Sequence, residues 1–159
     1  MTIAIGDSIP AATLFKVTPD GPQKIDAATW FKGRKVALFS VPGAFTPTCS
    51  ARHLPSFVEQ AGALKAKGVD EIVGTAVNDA FVMGAWAKDG GADGITMLAD
   101  GNADFVTALG LTMDGAGFGM GTRGQRFSML VDDGVVTQLN VEAPGDYHVS
   151  SAEHLLAQL

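Results

Sequence analysis

One cysteine, Cys49, stands in a chain of 159 residues, which excludes an internal disulfide framework and any all-cysteine metal site. Cations are also scarce. Eleven lysines and arginines face 17 aspartates and glutamates, for a formal net charge of −6. That balance argues against a general nucleic-acid or anionic-membrane surface, while leaving room for a local positive pocket. No apolar run reaches the roughly 18 residues that a membrane-spanning helix needs. The opening Met1-Thr2-Ile3-Ala4-Ile5-Gly6-Asp7 has neither a basic n-region nor a long apolar stretch, so no signal peptide is visible. The expected location is a reducing cytoplasm. A Walker A lysine is missing. Gly119-Met120-Gly121-Thr122-Arg123-Gly124 matches G-x-G-x-x-G but leads into a strand pattern, so the strand-to-helix context of a dinucleotide site is absent. His53, His148 and His154 show no metal-ligand spacing with one another or with Cys49.

What remains is a globular composition, 47% hydrophobic and 18% charged, with 20 glycines that imply frequent tight turns. Without a linker, repeat or low-complexity tract, residues 1–159 read as one domain. Thr18-Pro19-Asp20-Gly21-Pro22 reads as a hairpin or loop, followed by a short helix over about Asp26 to Phe31. Val36 to Val41 is a short apolar run with the signature of a buried central strand. Leu54, Phe57, Val58, Ala61 and Leu64 recur at helical spacing, giving a helix from about Pro47 to Lys67 with Gly68 as its C-cap. Pro55 should kink that helix. Ile72 to Val77 is a second buried strand, with Asn78 and Asp79 as N-cap candidates for a helix through Trp86. Asp89 to Gly94 is a loop, Thr96 to Leu98 a strand, and Ala103 to Leu109 a short helix. A glycine-rich stretch runs from Gly110 to Gly124. Arg126 to Val131 and Val135 to Val141 flank Asp132-Asp133-Gly134, a hairpin signal. Ser150 and Glu153 form an S-x-x-E capping box for a last helix through Leu156. The order predicts an α/β fold with a central mixed β-sheet flanked by helices.

The most informative segment is Val41-Pro42-Gly43-Ala44-Phe45-Thr46-Pro47-Thr48-Cys49. With Thr46 as N-cap and Pro47 as N1, Cys49 falls at N3, in the first turn. Unpaired N–H groups and the positive end of the helix dipole favour an anion there, and cysteines so placed are often reactive thiolates. The plain alternative is an inert buried cysteine. A thiolate also needs a cation. Arg126 opens an otherwise apolar strand, with Arg52 and Arg123 as alternatives. A cysteine hydrolase using His53 or His148 as base also fits, since such triads are assembled in space.

Pro42, Thr46 and Cys49 make P-x-x-x-T-x-x-C, and with Ser50 and His53-Leu54-Pro55 the chain resembles the peroxiredoxins, specifically the type II, peroxiredoxin-five-like group. The likeness extends over Val77 to Val82, Leu98-Ala99-Asp100, Arg126 to Met129 and Leu139 to Glu142. It implies a thioredoxin-like fold and a one-cysteine thiol peroxidase without metal or organic cofactor. In that reading Cys49 attacks a hydroperoxide and becomes a sulfenic acid. Arg126, the Thr46 hydroxyl and first-turn N–H groups stabilise the leaving oxygen, and Pro42 shields the thiolate. Phe45 and Phe118 add an apolar rim for alkyl hydroperoxides. The resolving cysteine of two-cysteine members is absent, so an external thiol must reduce the sulfenic acid. Glutathione with glutaredoxin is favoured, with thioredoxin as the rival. A homodimer is implied, with the loops beside Cys49 and around Asn78 to Phe81 near the contact. The competing reading is a peroxide sensor or binding protein that turns over poorly.

Overall fold

The computed structural model describes residues 2–159. The N-terminal turn chemistry makes a hairpin of β1 (Thr13–Thr18) and β2 (Gly21–Asp26). The carboxylate of Asp26 then caps the single-turn α1 (Ala27–Trp30) at Thr29 N, 3.2 Å away. The apolar run becomes β3 (Lys35–Ser40). After the cysteine segment come α2 (Leu54–Ala66), β4 (Glu71–Ala76), α3 (Ala80–Asp89), β5 (Thr96–Ala99) and α4 (Asp104–Leu109). The glycine-rich stretch holds two three-residue strands, β6 (Thr112–Asp114) and β7 (Thr122–Gly124), around a 3-10 turn at Ala116–Phe118. The chain closes with β8 (Phe127–Asp132), β9 (Val135–Val141) and α5 (Ala152–Ala157).

Seven strands form one mixed sheet in the order β2-β1-β5-β4-β3-β8-β9, and β6 pairs with β7 separately. β3, β4 and β5 run parallel, whereas β8 pairs antiparallel with β3 and β9 antiparallel with β8. The period of two along β3 divides the core. Val36 and Leu38 pack with Phe31, Phe105 and Phe127 on one face. Ala37 and Phe39 pack with Cys49, Phe57, Trp86 and Leu155 on the other. The Asp133-Gly134 turn has φ of 50° and 81°, the left-handed pair that a two-residue hairpin between β8 and β9 requires.

Three local expectations give way to other solutions. The helix expected from Pro47 does begin there, but its first part is a π-helical turn over Cys49–His53. Pro55 has no N–H for the carbonyl of Ala51, and the chain widens so that Leu54 N–H reaches back to Cys49 O. The proline is thus accommodated by a change of winding. Thr46 does not cap this helix with its side chain; its hydroxyl donates to Gly43 O at 2.7 Å. The capping box at Ser150 and Glu153 does not form either. Ser151 caps α5 by accepting from His154 N–H at 3.1 Å, because the Ser150 hydroxyl is already given to Glu142. At the other caps the expected chemistry holds: Asp79 accepts from Val82 N–H at 2.8 Å, and Gly68 follows α2 with φ of 99°.

Asp100 sits behind β5 and accepts from the N–H groups of Phe105 and Val106 at 2.9 and 3.0 Å, so it secures the start of α4. Burial pushes its carboxyl up to about 6 despite those bonds. No helix among the described residues is long and apolar enough to cross a membrane.

Candidate active site

The cysteine loop leaves the C-terminal end of β3, and β8 begins directly beside it, with Ser40 opposite Phe127. The Ser40 hydroxyl donates to Gln125 O at 3.0 Å, which secures the residue just before Arg126. This pairing delivers Arg126 to the cysteine: its Nη2 lies 3.1 Å from Cys49 Sγ. Cys49 is fully buried, with 0% exposure. Arg123, the alternative cation, is occupied elsewhere, donating from Nε to Met120 O at 2.9 Å. Arg52 stacks its guanidinium 4.4 Å over the Tyr147 ring.

The loop around the thiol is tightly folded. Gly43 O accepts from both the N–H and the hydroxyl of Thr46. A Cβ on Gly43 would lie 3.2 Å from each of Arg123 Nη1, Met120 Cε and Thr46 Cγ2, so glycine is what permits this close approach. Phe45 takes a left-handed φ of 65°, a conformation that costs a non-glycine residue about 1–2 kcal/mol. Ala44 N–H donates to Asn78 Oδ1 at 2.9 Å, joining this loop to the one that follows β4. On the helical side, Trp86 Nε1–H holds the Ser50 hydroxyl at 3.0 Å.

His53, one of the two candidate bases for a cysteine hydrolase, is held between Arg126 and Ser150. Its Nδ1 faces Arg126 Nη1 at 3.0 Å and its Nε2 faces Ser150 O at 2.8 Å. A guanidinium only donates and a carbonyl only accepts, so Nδ1 is bare and Nε2 carries the proton. Burial first, and the adjacent Arg126 charge second, bring the imidazole from 6.5 down to about 3. It is neutral, and neither nitrogen is free to take a proton from Cys49. His148 is exposed and meets Glu142 through its backbone N–H. The cysteine-hydrolase alternative therefore loses its base. The apolar ring of Phe39 lies 5.1 Å from the His53 ring and stacks on Phe57 at 4.3 Å. In sequence Ser150 stood out only as a helix cap, and nothing marked Tyr147, whose ring lies 5.2 Å from the imidazole.

A cleft of about 590 Å³ opens beside the thiol, and Pro42, Thr48, Met113, Phe118, Arg126 and Pro144 are among its walls. Phe118 is 85% exposed at its mouth. Phe45 is not among the lining residues; it is half exposed on the outer side of the loop. Pro42, Arg126 and Phe118 thus line one cleft, the buried Cys49 touches it through Arg126, and neither Thr46 nor Phe45 is among its walls. Among the described residues no group of three or more His, Cys, Asp and Glu is placed to hold a metal ion.

Residues 4–156 match the family model described as Redoxin. The chain is 51% identical over 165 residues to "Peroxiredoxin-2E-2, chloroplastic" of Oryza sativa subsp. japonica, covering 99% of this chain and 73% of that relative. It is 46% identical over 159 residues to "Peroxiredoxin-2B" of Arabidopsis thaliana, covering 99% of this chain and 98% of the relative. Among solved structures, reduced Prx3 in complex with H2O2 from Vibrio vulnificus superposes with a TM-score of 0.96 at 55% identity, over 99% of each chain.

The buried neutral histidine has a measurable consequence. Below pH 6.5 an unfolded chain protonates His53, whereas the folded one does not until about pH 3. The unfolded state therefore binds more protons in that window, and stability falls as pH falls through it. Asp100 works the other way between about 6 and 3.8, since the folded state takes up its proton first. Urea denaturation of wild type and His53→Gln at pH 6.5 and pH 5 isolates the histidine. Wild type should lose about 1–2 kcal/mol more than the variant over that interval; equal losses would contradict the assigned neutral state.

Proposed function

The chain belongs to the Redoxin family as a peroxiredoxin of the type II group, a thiol peroxidase of thioredoxin-like fold, and from that premise we propose how its own residues carry the reaction. Cys49 is the attacking thiol. Its sulfur displaces the leaving oxygen of a hydroperoxide in line, forming an S–O bond as the O–O bond breaks. The products are a sulfenic acid on Cys49 and, after protonation of the leaving oxygen, water or an alcohol. The observation that carries this reading is the 3.1 Å contact of Arg126 Nη2 with Sγ, beside a cleft that ends on the same arginine.

Arg126 supplies fixed positive charge where negative charge develops, and in a water-poor pocket such charge acts strongly. The proton of the Thr46 hydroxyl is committed to Gly43 O, so Thr46 offers the hydroperoxide a lone pair and orients its O–H. Pro42 covers the thiol side of the cleft. Phe118, with Met113 and Pro144, gives that cleft an apolar wall that suits alkyl hydroperoxides as well as hydrogen peroxide. Phe45, set on the outer side, belongs with the dimer contact in this reading.

Because Cys49 is the only cysteine, its sulfenic acid is reduced by a thiol from outside the chain. Its complete burial favours a small thiol over a protein surface, so glutathione is the first reductant and glutaredoxin clears the mixed disulfide. Thioredoxin remains the rival. A reducing compartment, the cytoplasm in our reading, supplies such thiols. The protein pairs as a homodimer through the loops around Phe45 and Phe81, which are 50% and 76% exposed and are joined by the bond from Ala44 to Asn78.

Three measurements test these assignments. Cys49→Ser should keep the fold and lose peroxidase turnover, since serine is a far weaker nucleophile. Arg126→Met should slow single-turnover oxidation by about 10²–10³, the effect of removing one preorganised donor. Stopped-flow assays that find either variant at the wild-type rate reject that residue's role. Intact mass after peroxide and glutathione should show a glutathione adduct on Cys49. Turnover with thioredoxin alone and no adduct would reverse the order of reductants. Sedimentation at micromolar concentration should give the mass of a dimer; a monomer would remove the Phe45–Phe81 contact.

A further inference from the structure

Glu142 follows directly on β9 and is 7% exposed. Its carboxylate gathers four donors from one short segment. His148 N–H reaches Oε1 and Oε2 at 2.9 and 2.8 Å, Val149 N–H and Ser150 N–H each reach Oε2 at 2.8 Å, and the Ser150 hydroxyl reaches Oε2 at 2.6 Å. Burial alone would raise this carboxyl, but those bonds outweigh it and hold it below the ordinary range. A carboxylate suits four converging donors, whereas an amide offers one oxygen and adds two donors of its own.

The bonds have a direction. With Ser150 fixed by its N–H and hydroxyl, its carbonyl receives His53 Nε2–H at 2.8 Å. That bond sets the histidine tautomer, leaving Nδ1 bare for Arg126 Nη1 at 3.0 Å, while Nη2 of the same guanidinium meets Cys49 Sγ at 3.1 Å. Glu142 also holds the other end of Arg126, because its own N–H donates to Arg126 O at 3.0 Å. We propose that Glu142 is a positioning residue for peroxide reduction, orienting Arg126 on the Cys49 sulfur through Ser150 and His53. This rests on the assignment of Arg126 given above.

The test is Glu142→Gln in the full chain, read in two ways. By 15N NMR at pH 7, wild-type His53 should show one tautomer, protonated at Nε2. The variant should show a mixture or the Nδ1–H form. In stopped-flow single turnover with hydrogen peroxide, Glu142→Gln should slow Cys49 oxidation about tenfold in the wild-type background but less than about twofold in a His53→Gln background, as expected of residues coupled within one network. An unmoved tautomer, or the same fold loss in both backgrounds, overturns the proposal. Should Glu142→Gln not fold, Ser150→Ala removes only the hydroxyl donor and is read in the same cycle against the same criteria. Arg126→Met oxidising at the wild-type rate would overturn the Arg126 assignment and this proposal together, whereas an unmoved His53 tautomer overturns this proposal alone.

Discussion

The antiparallel register of β3 against β8, with Ser40 opposite Phe127, is the constraint on which the site depends. It makes the end of one strand and the start of the other leave the sheet at the same edge. Cys49 and Arg126, 77 residues apart in sequence, then meet at 3.1 Å without either loop having to be long. The register is itself set by burial. β3 is apolar on both faces, and β8 matches it with Phe127 and Met129 on one side and Leu130 on the other. A slip of one residue would turn every side chain of β8 to the wrong face and move Arg126 off the thiol.

Behind the arginine lies a polar chain buried in an aromatic setting. Glu142, Ser150 and His53 are all nearly or fully inaccessible, which is expensive unless every donor and acceptor is matched. Here they are matched: among the described residues no buried side-chain nitrogen or oxygen lacks a partner. An unpaired member would cost about 1–3 kcal/mol, so the chain is held to one arrangement. Rigidity of that kind suits the role proposed for Arg126, because a preorganised charge has no reorganisation to undergo at the moment of reaction.

The backbone irregularities gather at the same place. Phe45 in the left-handed region and the π-helical turn at Cys49–His53 flank the thiol within nine residues of sequence. The π turn has a covalent origin in Pro55, and it brings Cys49 and His53 onto the buried side together. Local strain of this sort persists only where surrounding packing over-determines it. Phe39 stacked on Phe57, and Trp86 bonded to Ser50, provide that packing.

Much of this was written in local pattern. The apolar run at Val36 to Val41, the Asp133-Gly134 turn and the cap at Asp79 each state a preference that needs no distant partner, and the structure keeps them. The spacing of Pro42, Thr46 and Cys49 likewise marked the family before any geometry was known. Where two demands compete for one group, local pattern misleads. The Ser150 hydroxyl serves either a helix cap or the Glu142 carboxylate, and burial of that carboxylate decides for the latter. Sequence by itself therefore determined the kind of sheet and the family, and marked Cys49 as the candidate thiol. Only the tertiary structure decided that Arg126 and not Arg123 meets the sulfur, that His53 is a neutral acceptor and not a base, and that Glu142 stands behind both, because each of these depends on the strand register and burial that bring distant residues within hydrogen-bond reach.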